Sequence, residues 1–524
     1  MTTPVQTISW APLAPVLVLV GGLALVLLID LVLPFRSRRT VLPAVSALAC
    51  LAAAASAAWL SGDDRAAGTF CSTPDPGRGV RCSYVLGETA VFLTVLLCLA
   101  AAAVLVLTLT QLRADLAGVT PSGEYCLVLL AATVGAVIVA GSRDLITLVV
   151  GLETLTVPLY AAVAFKRGSN SGIEAALTLL VVSVTSTALM LLGIGFLYGL
   201  TGTLHIDVLA RVLAARDGVA DLALSGVAVA LLLAGLAFKV GAVPFHVWAP
   251  STYQGAPIPV AAYLSSVSKA GGIAGLIAVL PAVSAGSSSA ATWIALLSAV
   301  SMTVGNLIAM RQQHLVRLLA WSGIAQTGYL LVGLAVLSGR SDQALSGAGA
   351  TLAYLAIYLL MTVGAFACIA AFAGTATVDC AAGEGPSIES VRGLAGEHPR
   401  MAAALALFLI GLAGLPPALL GLFGKVVIVR AAFTGDAGWL GILVALNTVV
   451  AFVYYLRVAA ALFARPTETS RRAPRTAAVA RQGRSFPTAT GLLVAVLALF
   501  AFVAGFWPDL IIGTAPLLAP FGTE

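Results

Sequence analysis

The chain has 524 residues, 60% of them hydrophobic and 10% charged, with a mean hydropathy of +1.04 and a formal charge of +6. Soluble domains carry about 25% charged residues, and a chain of this length could not hide so much apolar surface from water. Disorder and nucleic-acid binding as a main activity are excluded on the same grounds, which leaves an all-α polytopic membrane protein.

A membrane span needs about 20 mostly apolar residues. Runs of that kind predict about fourteen spans, at 11–33, 40–60, 89–111, 124–141, 144–165, 173–200, 222–244, 259–283, 290–310, 318–338, 345–373, 401–431, 438–463 and 488–508. The first carries Asp30 and no basic leader segment, so it reads as a span rather than a cleaved signal. Basic residues set the orientation. If the loop holding Arg36, Arg38 and Arg39 is cytoplasmic, alternation puts sixteen loop lysines and arginines on that side and seven on the other. Both termini then lie outside. Cys71 and Cys82 share an outside polar loop, where a disulfide between them would persist if it forms.

Two spans are interrupted. The seventh reads AGLAFKVGAVPFHVW, with Gly241 and Pro244 just after Lys239. The twelfth reads GLAGLPPALLGLFGK, with Gly414, Pro416 and Pro417 before Lys425. Proline removes a backbone donor, so each helix is expected to be discontinuous. These spans stand five apart and run in opposite directions, the mark of an inverted repeat of spans 4–8 against 9–13. The chain divides accordingly into an N-terminal three-span unit with its external loop (1–122), a first five-span repeat (123–285), a second (286–463), and a basic loop with the last span (464–524).

Charge inside the membrane is the strongest functional signal. Only four of the 28 basic residues are lysines, and three of them, Lys239, Lys269 and Lys425, lie within apolar stretches. A charge at the centre of a span costs on the order of 2.5–3.5 kcal/mol on insertion scales, so three are kept against a sizeable penalty. A lysine taken out of water can release its proton, whereas an arginine stays charged. Glu153, deep in the fifth span, is the natural partner of Lys239. Asp30 and Asp144 stand near span ends, as solvated or capping residues. His246 follows the broken seventh helix and is placed to pass protons in from water; His314, near another cytoplasmic end, is the weaker candidate. The sequence shows no nucleotide-binding glycine loop, no haem-attachment motif and no metal-ligand spacing. A proton path without cofactor or metal must exchange one ion for another or be driven by a partner.

These residues resemble a known family, the antiporter-like membrane subunits of respiratory complex I and of Mrp-type cation/proton antiporters. The resemblance is carried by FKVGAVPFHVWAPSTYQGAPIPVAAYLSSVSKAGG (238–272), with its lysine, P-F-H-x-W, Y-x-G-A-P and S-K elements in order. RQQHLVRLLAWSGIAQTGYLLV (311–332), GLETLTVPLY (151–160), EAALTLLVVSVTSTALMLLGIGFLYGLTGT (174–203) and GLPPALLGLFGK (414–425) also match. The fourth of these segments and the lysine in the twelfth span favour one branch of the family, a sister branch usually having glutamate there. Ser251 and Gln254 replace usual acids, Trp321 a usual tyrosine, and Thr178 a frequent lysine. The resemblance implies a proton-translocating subunit in which Glu153 is the coupling acid, Lys239 its partner and proton donor, Lys269 a relay, Lys425 the exit group, and His246 an aid at the break. It also implies other membrane-arm subunits and lipids as partners in a bacterial cytoplasmic membrane, with NADH, FMN, iron–sulfur clusters and quinone held by partner subunits and none by this chain. It leaves open an Mrp-type antiporter subunit, and a scaffold whose lysines no longer pump.

Overall fold

The computed structural model describes residues 6–61, 67–72, 80–114, 121–165, 170–215, 219–286, 289–336, 347–373, 385–465 and 488–515. Lys166, Arg167, Arg65, Arg78, Arg216, Arg340 and the basic stretch 466–487, all used in the charge count, lie outside them. In a bilayer every backbone polar group must be satisfied within the chain, and helices do this locally. The helices are α1 (Ala14–Val32), α2 (Phe35–Leu60), α3 (Glu88–Ala114), α4 (Ser122–Gly141), α5 (Leu145–Ala164), α6 (Asn170–Thr201), the short surface helix α7 (Ile206–Ala214), and α8 (Val219–Val240). They continue as α9 (Trp248–Gly255), α10 (Ile258–Tyr263), α11 (Lys269–Gly286), α12 (Ser289–Ala309), α13 (Leu315–Ala335), α14 (Gly347–Ala373), α15 (Pro399–Ala413), α16 (Leu419–Thr434), α17 (Gly438–Phe463), α18 (Thr488–Phe506) and α19 (Asp509–Ile512). A π turn, Leu264–Ser268, joins α10 to α11.

Thirteen helical stretches among the described residues are long and apolar enough to cross a membrane. The expected twelfth span is absent from that number because it is cut into α15 and α16, of 15 and 16 residues. Fourteen passes with one cut in two account for both figures. The seventh span is also broken, but not where its apolar run ends. It stops at Val240, turns through 241–247, and resumes as α9, beyond the expected end of the span at 244.

The repeat is visible in backbone hydrogen bonds. Leu145 N–H donates to the Leu204 carbonyl at 3.0 Å and Ile206 N–H to Arg143 at 3.1 Å. In the second copy Leu315 N–H donates to Pro386 at 2.9 Å and Ile388 N–H to Gln313 at 2.8 Å. The N-terminus of α5 and that of α13 are thus clasped in the same way. α13 and α14 are buried along nearly their whole length, whereas α1, α6, α17 and α18 turn leucine, valine and phenylalanine outward. An apolar exterior around a buried centre suits hydrocarbon surroundings.

Outside the helices, the polar loop after α2 forms a hairpin that composition did not anticipate. β1 (Ala67–Ser72) pairs antiparallel with β2 (Arg81–Leu86), with Cys71 directly opposite Cys82 in a disulfide. Cys71 also exchanges both backbone hydrogen bonds with Thr7, at 2.8 and 3.0 Å, and Arg143 N–H donates to Ser83 at 2.9 Å. The hairpin therefore ties the N-terminal segment to the turn between α4 and α5. Asp144, expected near a span end, caps α5: Oδ1 accepts from the Ile146 and Thr147 amides at 2.9 and 2.8 Å. Asp144→Ala is expected to cost about 1 kcal/mol, as lost caps do, and to lower the thermal midpoint of the solubilised protein; Asp144→Asn should keep it.

Candidate functional site

The π turn, the two breaks and α13 bring the three lysines into one buried core. Each is almost fully covered: Lys239 is 6%, Lys269 4% and Lys425 4% exposed. None reaches out toward an interface, as a snorkelling lysine would.

Lys239 is the penultimate residue of α8, just before the turn at Gly241 (φ +71°). Its Nζ donates to Glu153 Oε1 at 2.8 Å, Thr156 Oγ1 at 3.0 Å and Ser183 Oγ at 3.3 Å. Three donors thus meet one carboxylate and two hydroxyls. Glu153 stands on α5, one turn before Thr156, and its Oε1 also accepts from Thr187 on α6 at 2.7 Å. Its side chain is 27% exposed against 4% for that of Lys239, so the carboxylate lies at the edge of the site.

Lys269 opens α11 directly after the π turn, a distortion often found at functional sites. Its Nζ donates to the Gly323 carbonyl on α13 and lies 5.6 Å from the centre of the Tyr358 ring. The Tyr358 hydroxyl donates to the Ser265 carbonyl within the π turn at 2.7 Å. Lys425, on α16, donates back across the break to the Ala413 carbonyl at 2.6 Å and to Thr448 Oγ1 on α17 at 3.0 Å. The Tyr329 ring faces it at 4.3 Å, and the Tyr329 hydroxyl accepts from Asn306 at 2.9 Å. Lys269 and Lys425 make no salt bridge among the described residues. Carbonyl dipoles, hydroxyls and ring faces hold their charge instead, the last by cation–π attraction.

His246 is half-buried in the turn between α8 and α9, with its ring edge-on to Trp321 at 5.2 Å. It is not among the hydrogen-bond partners of the three lysines. His314 instead precedes α13, where it bridges to Ser387. Gln254, in place of a usual acid, accepts from Arg317 at 3.0 Å.

The sequence reading named the charged members of this core and missed its neutral ones. Thr156, Ser183, Thr187, Gln326, Thr327, Tyr329, Tyr358 and Thr448 touch a lysine, its acid or the carbonyls around them. A signal existed for some: Thr156 is one turn from Glu153, and Gln326–Thr327 stands within the quoted segment of α13. Threonine and tyrosine are too common in membrane helices for type alone to single out the rest.

Residues 142–451 match the family model described as NADH:quinone oxidoreductase/Mrp antiporter, TM. The chain is 46% identical to NADH-quinone oxidoreductase subunit N of Salinispora tropica, over 88% of this chain and 86% of that protein. It is 43% identical to NADH-quinone oxidoreductase subunit N 2 of Streptomyces griseus, over 88% and 84%. Among solved structures it resembles a chain of respiratory complex I from Thermus thermophilus with bound aureothin, at TM-score 0.73 and 28% identity, covering 95% of this chain and 98% of that one. A chain of the Mrp complex from Dietzia sp. DQ12-45-1b gives TM-score 0.75 at 20% identity over 96% of each, which shows the shared fold alone. The branch that the sequence pointed to is thus subunit N, and the chain belongs to the NADH:quinone oxidoreductase/Mrp antiporter transmembrane family as a multi-pass membrane subunit of the NADH-quinone oxidoreductase kind.

Proposed function

We propose that this chain moves protons across the bacterial cytoplasmic membrane as a membrane-arm subunit of an NADH–quinone oxidoreductase, driven by quinone reduction in partner subunits. The observation that carries this reading is the Lys239–Glu153 pair, a buried ammonium with one carboxylate partner among the described residues, at 2.8 Å. A pair of this kind has two useful states. Closed, the carboxylate holds the proton on Lys239; open, the buried ammonium loses its counter-charge and gives the proton up. In this scheme Glu153 is the coupling acid and Lys239 the donor. Lys269 relays along the core, Lys425 faces the exit, and His246 assists proton entry at the break of the seventh span.

NADH, FMN, iron–sulfur clusters and quinone belong to the partner subunits, and the chain has no catalytic activity on its own. Its partners are other antiporter-like and small membrane-arm subunits, with lipid around them. The bias of basic residues places both termini outside, and the domain limits at 122/123, 285/286 and 463/464 follow the repeat. The test is NADH-driven proton pumping in sealed vesicles from a Lys239→Ala strain, normalised to assembled complex. Collapse of both pumping and electron transfer at normal assembly is expected. Unchanged pumping would reduce the chain to a scaffold.

A further inference from the structure

Gln326 and Thr327, adjacent on α13, reach the ends of both broken helices. A helix that stops inside a protein leaves carbonyls without their intrahelical donors, and each such carbonyl needs another. α8 stops at Val240, whose carbonyl accepts from Thr327 Oγ1 at 2.8 Å. α15 stops at Ala413, and the Leu412 carbonyl accepts from Gln326 Nε2 at 3.0 Å, beside the Ala413 carbonyl that Lys425 holds. Both residues are fully buried, Gln326 at 1% and Thr327 at 0% exposure.

Thr327 has a second acceptor. Its Oγ1 lies 3.1 Å from the Gly323 carbonyl, one turn back on α13 and the same oxygen that accepts from Lys269. A hydroxyl has one proton to donate. While Lys269 occupies the Gly323 oxygen, the nearer Val240 carbonyl is the better target. When Lys269 withdraws, the Gly323 oxygen keeps its helical bond from the Thr327 N–H and regains a free lone pair, to which the hydroxyl can rotate, uncapping α8 one residue after Lys239. Gln326 has no such alternative: its carbonyl oxygen accepts from Tyr354, which fixes the amide toward Leu412.

We infer that Gln326 and Thr327 are positioning residues that tie the two helix breaks to the state of Lys269. Thr327 acts as a two-position rotor between Lys269 and the end of α8, and Gln326 as the fixed strut to the end of α15. The ordinary alternative is a threonine bonded back into its own helix, a frequent arrangement in membrane helices. That alternative accounts for the contact with Gly323 and leaves the shorter contact with Val240 unexplained.

The inference rests on the proton-translocating reading, and one experiment separates the two. In inside-out vesicles holding the complete complex, protons moved per NADH oxidised are measured for Thr327→Val, Thr327→Ser and Gln326→Met, with Lys239→Ala alongside. Thr327→Val keeps the shape and loses the hydroxyl, and Gln326→Met keeps the length and loses the amide. Each is expected to bring a loss in that ratio, because one helix break is no longer tied to α13, while Thr327→Ser restores it. A merely structural role would lower the amount of complex and leave the ratio alone. Parental ratios in both Thr327→Val and Gln326→Met, with Lys239→Ala inactive, would overturn this inference and spare the function. If Thr327→Val prevents assembly, the ratio in Gln326→Met decides. Lys239→Ala vesicles that pump as the parent does would instead overturn the function itself.

Discussion

Glu153→Gln is expected to abolish NADH-driven pumping and to lower the amount of assembled complex, and adding Lys239→Met is expected to restore the amount but not the pumping. The asymmetry follows from what each change leaves behind. In the native site the Lys239 ammonium has one charged partner and two hydroxyls. Glutamine keeps the shape and removes the charge, leaving a cation almost wholly buried with only neutral partners. Removing one member of a buried pair costs about 3–5 kcal/mol, and the partial exposure of Glu153 puts this case toward the lower figure. Replacing the lysine as well takes away the stranded charge, and an apolar pair of similar volume is often no less stable than the ion pair it replaces. Quantifying assembled complex by native electrophoresis and pumping by a fluorescent pH probe separates the two effects. Full pumping in assembled Glu153→Gln would show that the pair is structural.

The charged half of this core was legible in the sequence because charge in an apolar run is costly and therefore conspicuous. Glu153, Lys239, Lys269 and Lys425 stand out on that ground, and the pairing of Glu153 with Lys239 followed from sign and from membership of one repeat. The breaks were legible from Pro244 and from Pro416 with Pro417. What could not be read was direction. Nothing in the apolar pattern says that the chain re-forms a helix at Trp248, since WAPSTYQG contains a proline and is barely apolar. Nor does it say that Lys425 reaches back across its break to Ala413 rather than forward. The Cys71–Cys82 pair was legible as the two cysteines of one loop, but the hairpin around it was hidden: its order also comes from pairing Cys71 with Thr7, residues far apart in the chain. His246 shows the converse. Its position beside a break and within a family motif made it a candidate, yet its ring packs edge-on against Trp321 and not against a lysine.

The breaks also give a sharper contrast. Gly241 and Gly414 open the two interruptions with nearly the same left-handed backbone, φ +71° and +74°. Alanine at either should cost about 1–2 kcal/mol for the conformation alone. The space around them differs. A Cβ on Gly241 would meet only the edge of Trp248 at 4.0 Å, whereas one on Gly414 would stand 2.6 Å from Cδ and 2.9 Å from Cε of Lys425. Those atoms are the middle of a chain whose head is held by Ala413 and Thr448, so the lysine cannot yield without letting go of both. Hydrogen bonds to a charged group contribute about 1.5–3 kcal/mol each, so the displacement should reduce pumping more than tenfold. Gly241→Ala is therefore expected to assemble and pump close to the parental rate, and Gly414→Ala to assemble and pump poorly. Proton transfer per NADH in the two strains, compared at equal amounts of complex, measures the difference. Equal rates would mean that the grip of Lys425 on the broken helix has no part in proton release.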